Sequence, residues 1–209
     1  MTRARCTGEG NSVACGGAEG VSDVFGAALW ALDAVFYAAS LGVSRWNFHG
    51  GPAGAYTAIA YKSRASSVPD VRPLYYAIWA VATAVAGDAR LMNASVVSSN
   101  PGVRAWALRA AGGTWRVVLL HKDSNATAPA SVVVRPAAAC GSTASVTRLT
   151  AGGGGITAKY GISFGGQTFD GSADGTPQGT HVAESVPSVG GAWSFALPPG
   201  SGAVLEFSE

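Results

Sequence analysis

The sequence changes character near Gly87, and that change limits the folds open to the chain. Upstream of it, apolar segments run to helical length; downstream, short runs of β-type residues are separated by Gly, Pro and Ser. In the first part, Phe25, Leu29, Leu32, Val35 and Phe36 follow the three-and-four spacing of a helix face. The spacing predicts a helix from a Ser22 or Asp23 cap to about Leu41, ended by Gly42. Residues 43–48 read as a strand ending at His49-Gly50-Gly51, and a loop rich in Gly, Ala and Tyr follows. A second helix is expected from near Asp70, with Pro73 in its first turn, through Tyr76, Trp79 and Val85. With residues 3–6 as a leading strand, the order is strand, helix, strand, helix, a βαβα unit of a parallel sheet. Such a unit cannot cover or close a parallel sheet by itself. The expectation is therefore a remnant of a larger domain, with further strands upstream.

The second part reads as an antiparallel β-sandwich. Residues 91–97, 104–109, 115–121, 131–135, 145–149, 162–164, 193–197 and 203–207 are the expected strands. Gly112-Gly113 suits a hairpin turn between two of them. Gly152 to Gly155 reads as a flexible loop; no P-loop lysine follows it, which argues against nucleotide binding. The predicted architecture is thus α/β plus all-β, with residues 1–88 forming the strand–helix part and residues 89–209 the sandwich.

Composition narrows the function. Hydrophobic residues make up 48% and charged residues 12% of the 209, which excludes a disordered chain. The formal net charge is +2 with Lys and Arg scattered singly, so the footprint of a nucleic-acid binder is missing. Residues 24–43 are long enough to span a bilayer but carry Asp33, and residues 74–86 are too short, so both read as buried helices. Cys6, Cys15 and Cys140 lack zinc-site spacing, although Cys6 and Cys15 could form a bridge, and His49, His121 and His181 are scattered. No metal or other cofactor is expected. The first residues lack the apolar core of a signal peptide, so any leader would lie upstream of Met1. Acceptor sequons at Asn93-Ala94-Ser95 and Asn125-Ala126-Thr127 lean toward a secreted parent. His121-Lys122-Asp123 reads as a strand-end turn, and Trp106, Trp115 and Trp193 as packing residues.

The stretch with chemical content is Gly8-Glu9-Gly10-Asn11-Ser12, followed by Cys15-Gly16-Gly17. If residues 3–6 are a parallel strand, Glu9 lies just past its C-terminal end, where (β/α)8 barrels carry their active-site residues. Asn11 and Ser12 could hold its carboxylate, and the glycines permit close backbone approach to a ligand. Spacing alone favours an ordinary surface carboxylate in a glycine-rich loop.

The ordered blocks GEGNS, CGG, GVSDVFGAALWALD, WNFHGG and VRPLYYAIWA resemble glycoside hydrolase family 79, which contains exo-β-glucuronidases and heparanase. The matched blocks run from Gly8 to about Gly87, and the rest resembles the family's C-terminal β-sandwich domain more weakly. The resemblance implies that residues 1–88 are the last units of an incomplete (β/α)8 barrel. It implies Glu9 as the nucleophile at the end of the seventh barrel strand and residues 43–48 as the eighth. Gly54 and Tyr56 fall near the family's contacts to the sugar carboxylate, Gly16 and Gly17 border that subsite, and His49 lines the pocket. Many members have Thr or Met where this chain has Gly10.

A retaining glycosidase needs two carboxyl groups roughly 5–5.5 Å apart, one attacking the sugar and one donating a proton. The family's acid/base stands in an Asn-Glu-Pro context on the fourth strand, and this sequence contains no Asn-Glu dipeptide. The remaining Glu19, Glu184, Glu206 and Glu209 stand in a pre-helix loop, in the sandwich or at the tail. The implied protein is a C-terminal portion of an enzyme of β-linked uronides, whose partners are a glycan or glucuronide and a missing N-terminal barrel segment. Such a parent is expected to be secreted, extracellular or vacuolar. The portion alone is expected to be inactive. The rival reading is a non-catalytic sandwich module that binds carbohydrate or protein.

Overall fold

Parallel pairing begins at the N-terminal end. Strand β1 (Arg5–Cys6) leads to helix α1 (Phe25–Ser40) and returns as β2 (Val43–Arg45), with Arg5 opposite Val43 and Cys6 opposite Arg45. An isolated parallel bridge between Gly10 and Phe48 carries the pairing further. In this computed structural model residues 5–6, 8–51, 54–61, 68–137 and 140–209 are described. The expected residues 43–48 strand is shorter than its hydrophobic pattern, because regular pairing with β1 ends at Arg45.

The start of α1 differs from expectation. Val24 occupies the cap position and makes no side-chain cap bond. The first helical N–H, on Phe25, donates instead to the Ala158 carbonyl at 2.8 Å. The helix end is buried against a neighbouring segment that supplies the acceptor, which leaves Ser22 and Asp23 to bind the preceding loop. Gly42 ends the helix as predicted, at φ +83°, with its N–H on the Ala39 carbonyl.

A short antiparallel hairpin, β3 (Ile59–Tyr61) with β4 (Pro69–Val71), stands where a loop was expected. Three-residue strands give too little periodicity to be read from sequence. Helix α2 (Pro73–Val85) starts with its proline in the first turn. Proline costs nothing there, since the missing N–H would be unpaired anyway.

The remaining strands are β5 (Arg90–Met92), β6 (Val103–Arg109), β7 (Thr114–His121), β8 (Ala130–Val134), β9 (Thr143–Ala151), β10 (Ile162–Phe164), β11 (Glu184–Val189), β12 (Ala192–Leu197) and β13 (Ser201–Ser208). They form one nine-stranded antiparallel sheet in the order β5-β6-β7-β13-β9-β11-β12-β8, with β10 branching from β9. The last strand is central: β13 pairs with β7 along its whole length and with β9 on its other side. The hairpin turn at Gly113, φ +82°, is present as predicted, closed by the Ala110 N–H on the Thr114 carbonyl at 2.8 Å.

The two layers expected of a sandwich are parts of a single sheet that turns back on itself through β11. Residues Glu184 to Pro187 pair with β9, whereas Ser188 and Val189 pair with β12. Pro187 sits where the strand leaves one partner for the other, a corner at which the missing N–H does least harm. Strand β11 is not among the expected strands: its Glu-Ser-Val-Pro-Ser-Val segment is half polar and carries a proline, which gives no clear strand pattern. Strand β5 also stops early: residues 93–97 leave β6 and run exposed along the flank of the folded sheet.

Two cores follow from this folding. Between the layers lie Ala107, Val117, Leu119, Val132, Val146, Val186, Trp193, Leu197, Leu205 and Phe207. The opposite face presents Leu108, Val118, Leu120, Leu149 and Val204 to the helices, where they meet Phe25, Leu29, Leu32, Phe36, Leu74, Ala77 and Ala80. Alternate residues of β7 thus enter different cores, which explains why its Val-Val-Leu-Leu run is apolar on both faces. Asp33, midway along α1, accepts a hydrogen bond from Trp106 Nε1 at 2.9 Å and pairs with Lys122 Nζ, fixing the helix to the sheet. Trp106 lies against Phe36 and Tyr37, and Trp193 stacks on Phe207 at 4.3 Å between ring centres. Residues 152–155, expected to be a flexible loop, lead into an ordered turn of 3-10 helix at Gly155–Thr157 beside the start of α1. Among the described residues no helix is long and apolar enough to cross a membrane.

Candidate active site

The site residues named from sequence come from two loops that follow β1 and β2. Glu9 lies just past β1, and His49 just past the Phe48 bridge; parallel pairing brings the two strand ends side by side. The His49 N–H donates to the Gly10 carbonyl at 3.2 Å, and the Gly10 N–H to the Asn47 carbonyl at 2.9 Å. His49 Nδ1 is 3.6 Å from Glu9 Oε1 and 2.8 Å from the Tyr56 hydroxyl. The result is a line of three groups: an exposed carboxylate, an imidazole, and a phenol on a buried ring. The Glu9 side chain is 66% exposed, so its oxygens are open to a reacting atom.

The backbone under this line needs glycine. Gly17 has φ +84°, and a Cβ there would fall 2.8 Å from the Tyr56 backbone nitrogen and 2.9 Å from the Ser22 side chain. Gly16 accepts from the Tyr56 N–H at 3.3 Å and has φ +93°, a conformation that residues with a Cβ rarely take. Gly54, at φ +122°, brings its Cα side within reach of the Gly16 carbonyl. Gly16, Gly17, Gly54 and Tyr56 therefore form one contact between the two loops.

Asn11 and Ser12 were expected to hold the carboxylate, and their bonds go elsewhere. Asn11 Nδ2 donates to the carbonyls of His49 at 2.7 Å and Tyr56 at 3.2 Å, while its Oδ1 accepts from the Ser12 N–H at 2.8 Å. The Ser12 hydroxyl donates to Ser22 Oγ at 2.8 Å. Asn11 ties the two loops together, Ser12 closes the first loop on itself, and none of these bonds goes to Glu9. An amide serves better than a carboxylate in this role, because two backbone carbonyls need donors.

Two supports were not anticipated. Arg72, just before α2, donates through Nη1 to the Gly54 carbonyl at 2.6 Å and is paired with Asp70 at 3.4 Å. It stands between β4 and α2, and its reach to the Gly54 loop depends on a hairpin that was not expected. Trp46 packs beneath Gly10, where a Cβ would approach its ring to 3.1 Å, and touches Trp30 and Phe48 edge-on or tilted. Beneath the glycine-rich loop, burial alone would raise the Asp23 carboxyl. Bonds from Lys159 and from the Gly20 N–H outweigh that and hold it below its ordinary value.

Cys15 is exposed with a free thiol, and the Cys6 side chain lies outside the described residues, as do residues 52–53 beside Gly54. Among the described residues no group of His, Cys, Asp or Glu is arranged to hold a metal ion. Glu184, Glu206 and Glu209 pair with Arg148, Arg116 and Arg109 on the sheet.

Comparison with known proteins extends the resemblance read from the sequence. Residues 105–205 match the glycosyl hydrolase family 79 C-terminal beta domain. A beta-glucuronidase of Neurospora crassa is 28% identical over 95% of this chain and 43% of its own length. Among solved structures, a 4-O-α-L-rhamnosyl-β-D-glucuronidase from Fusarium oxysporum is 26% identical with a TM-score of 0.77, covering 97% of this chain and 43% of that one. The catalytic domain of a family 30 xylanase from Talaromyces cellulolyticus shares the fold at 13% identity and a TM-score of 0.61, over 95% of this chain and 38% of that one. The chain thus spans less than half the length of these relatives. Family model, sequence relative and solved structure agree with the family 79 resemblance.

Proposed function

Taking the chain as a relative of glycoside hydrolase family 79, we propose that it is the C-terminal part of a retaining glycosidase acting on β-linked glucuronic acid or a related uronide. In this reading β1–α1–β2–α2 are the last units of a (β/α)8 barrel and Glu9 is the nucleophile. The supporting observation is the placement of Glu9, open to solvent beyond a parallel strand and beside the His49–Tyr56 pair. Exposed Tyr37 and Leu41 at the end of α1 offer apolar surface for the rest of the barrel.

Ionised Glu9 attacks the anomeric carbon, forming a glycosyl–enzyme ester as the bond to the leaving oxygen breaks. A second carboxyl, supplied by the upstream barrel, protonates that oxygen and later takes a proton from the water that cleaves the ester. His49 and Tyr56 orient the groups around Glu9, and the Gly16–Gly17 and Gly54–Tyr56 backbone lines the uronate side. With one carboxylate of the pair, the chain alone is inactive.

The test uses the protein joined to its upstream barrel segment and an aryl β-glucuronide. Glu9→Gln and Glu9→Ala should reduce turnover to background, and azide should restore the alanine variant while yielding the α-glucuronosyl azide. Turnover that survives both substitutions would remove Glu9 from the nucleophile's role. Glu9-dependent turnover by the present chain alone would refute its inactivity.

A further inference from the structure

The open flank of the folded sheet and the first sequon coincide. Among the described residues, strands β5 and β8 are the two ends of the sheet, each paired with one neighbouring strand. Between β8 and the segment 93–98 that follows β5 lies a groove of about 470 Å³ floored by the inter-layer core, with Ala107, Val117, Leu119, Val132 and Phe207 in its wall. Its size is in the range of small-ligand sites, about 300–1,000 Å³. Such a flank joins the edge of β8 to apolar surface, and both invite aggregation unless something covers them. Residues Asn93, Ala94 and Ser95 form part of its rim.

We propose that Asn93 carries an N-linked glycan whose proximal sugars lie over this groove and shield the open flank. The acceptor meets the local requirements: Asn93 and Ser95 are exposed and sit beyond the end of β5, outside any strand. In the modification, Asn93 Nδ2 attacks the anomeric carbon of a lipid-diphosphate-linked oligosaccharide. The nitrogen–carbon bond forms, the bond from that carbon to the diphosphate oxygen breaks, the lipid diphosphate leaves, and the amide loses one proton. The faces of sugar rings are apolar enough to pack on Val and Ala side chains, while their hydroxyls can reach the edge of β8. Charge does not oppose this, since most wall residues are neutral. The second sequon, Asn125, is also exposed, in a turn where its N–H bonds Asp123 Oδ1 at 3.0 Å, but it does not line the groove. It serves as an internal comparison.

The chain is expressed behind a secretory leader in a eukaryotic host, joined to its barrel segment, and treated with peptide:N-glycanase in heavy-oxygen water. Peptide mass spectrometry reads each acceptor by its conversion to labelled aspartate. Asn93 should be occupied. Asn93→Gln should raise the fluorescence of a hydrophobic dye about two- to five-fold and promote aggregation, whereas Asn125→Gln should change neither. Ser95→Ala, which removes the sequon and keeps the asparagine, should reproduce Asn93→Gln. An unmodified Asn93 overturns the proposal, whether or not Asn125 is occupied. So does an occupied Asn93 whose removal leaves dye binding and aggregation unchanged. Neither readout involves Glu9 or turnover, so the outcome is independent of the catalytic reading.

Discussion

Replacing Asp33 with Ala should cost about 2 kcal/mol of folding stability, through the junction of α1 with the sheet. The Asp33 side chain is 14% exposed; its Oδ1 accepts from Trp106 Nε1 at 2.9 Å and its Oδ2 pairs with Lys122 Nζ. Losing a hydrogen bond to a charged acceptor and leaving the indole N–H unpaired costs about 1.5–3 kcal/mol. Lys122 is one-third exposed and regains water when released, so its share stays near the surface-pair value of about 1 kcal/mol or less. Alanine's better helix propensity returns up to about 0.7 kcal/mol. Urea unfolding should show a lower midpoint at unchanged slope, and Tm should fall by about 4–8 °C. Asp33→Asn keeps an acceptor for Trp106 and should lose about half as much. An Asp33→Ala protein within about 0.5 kcal/mol of the parent, or a cycle with Lys122→Ala that shows no coupling, would refute this role for Asp33.

The glycine contact offers a paired test. Gly17→Ala, which must displace the Tyr56 nitrogen or Ser22, should cost about 2–4 kcal/mol by thermal unfolding, whereas Gly16→Ala meets open space and should cost only its backbone strain, about 1–2 kcal/mol. Trp193→Ala should cost about 3–5 kcal/mol in urea, because the ring is 1% exposed and stacked on Phe207; a loss under about 1 kcal/mol would mean the layers close without it. Asp23→Asn should cost about 1–2 kcal/mol near neutral pH. Since folding lowers the Asp23 pKa, its contribution is complete above the ordinary value of 3.8 and disappears as pH falls through the lowered one. The gap between variant and parent should therefore close in acid; a gap that widens there would contradict the sign.

The helices and long strands were legible because their hydrophobic patterns are dictated by burial on defined faces. What escaped the sequence reading was set by contacts between distant segments. The cap of α1 is a carbonyl from Ala158, more than a hundred residues away, so no local pattern could show that Ser22 and Asp23 are released from capping. Strand β11 was hidden because Pro187 argues against a strand in one sheet, and only the corner between two partners makes it tolerable. The hairpin that delivers Arg72 is too short for its alternation to register.

The site divides in the same way. Glycine positions were visible because a positive φ or a close approach leaves residue identity little choice, and Gly16, Gly17 and Gly54 do meet at one contact. The side chains around Glu9 were visible as residue types but not as roles. Asn11 looked like a carboxylate's partner, yet two backbone carbonyls, of His49 and Tyr56, take its donors. The consequence is that the hydrogen bonds of Asn11 and Ser12 do not hold Glu9, contrary to expectation. In the arrangement that exists, the polar residues of the loop hold one another and the backbone, and the carboxylate projects beyond them with His49 alongside.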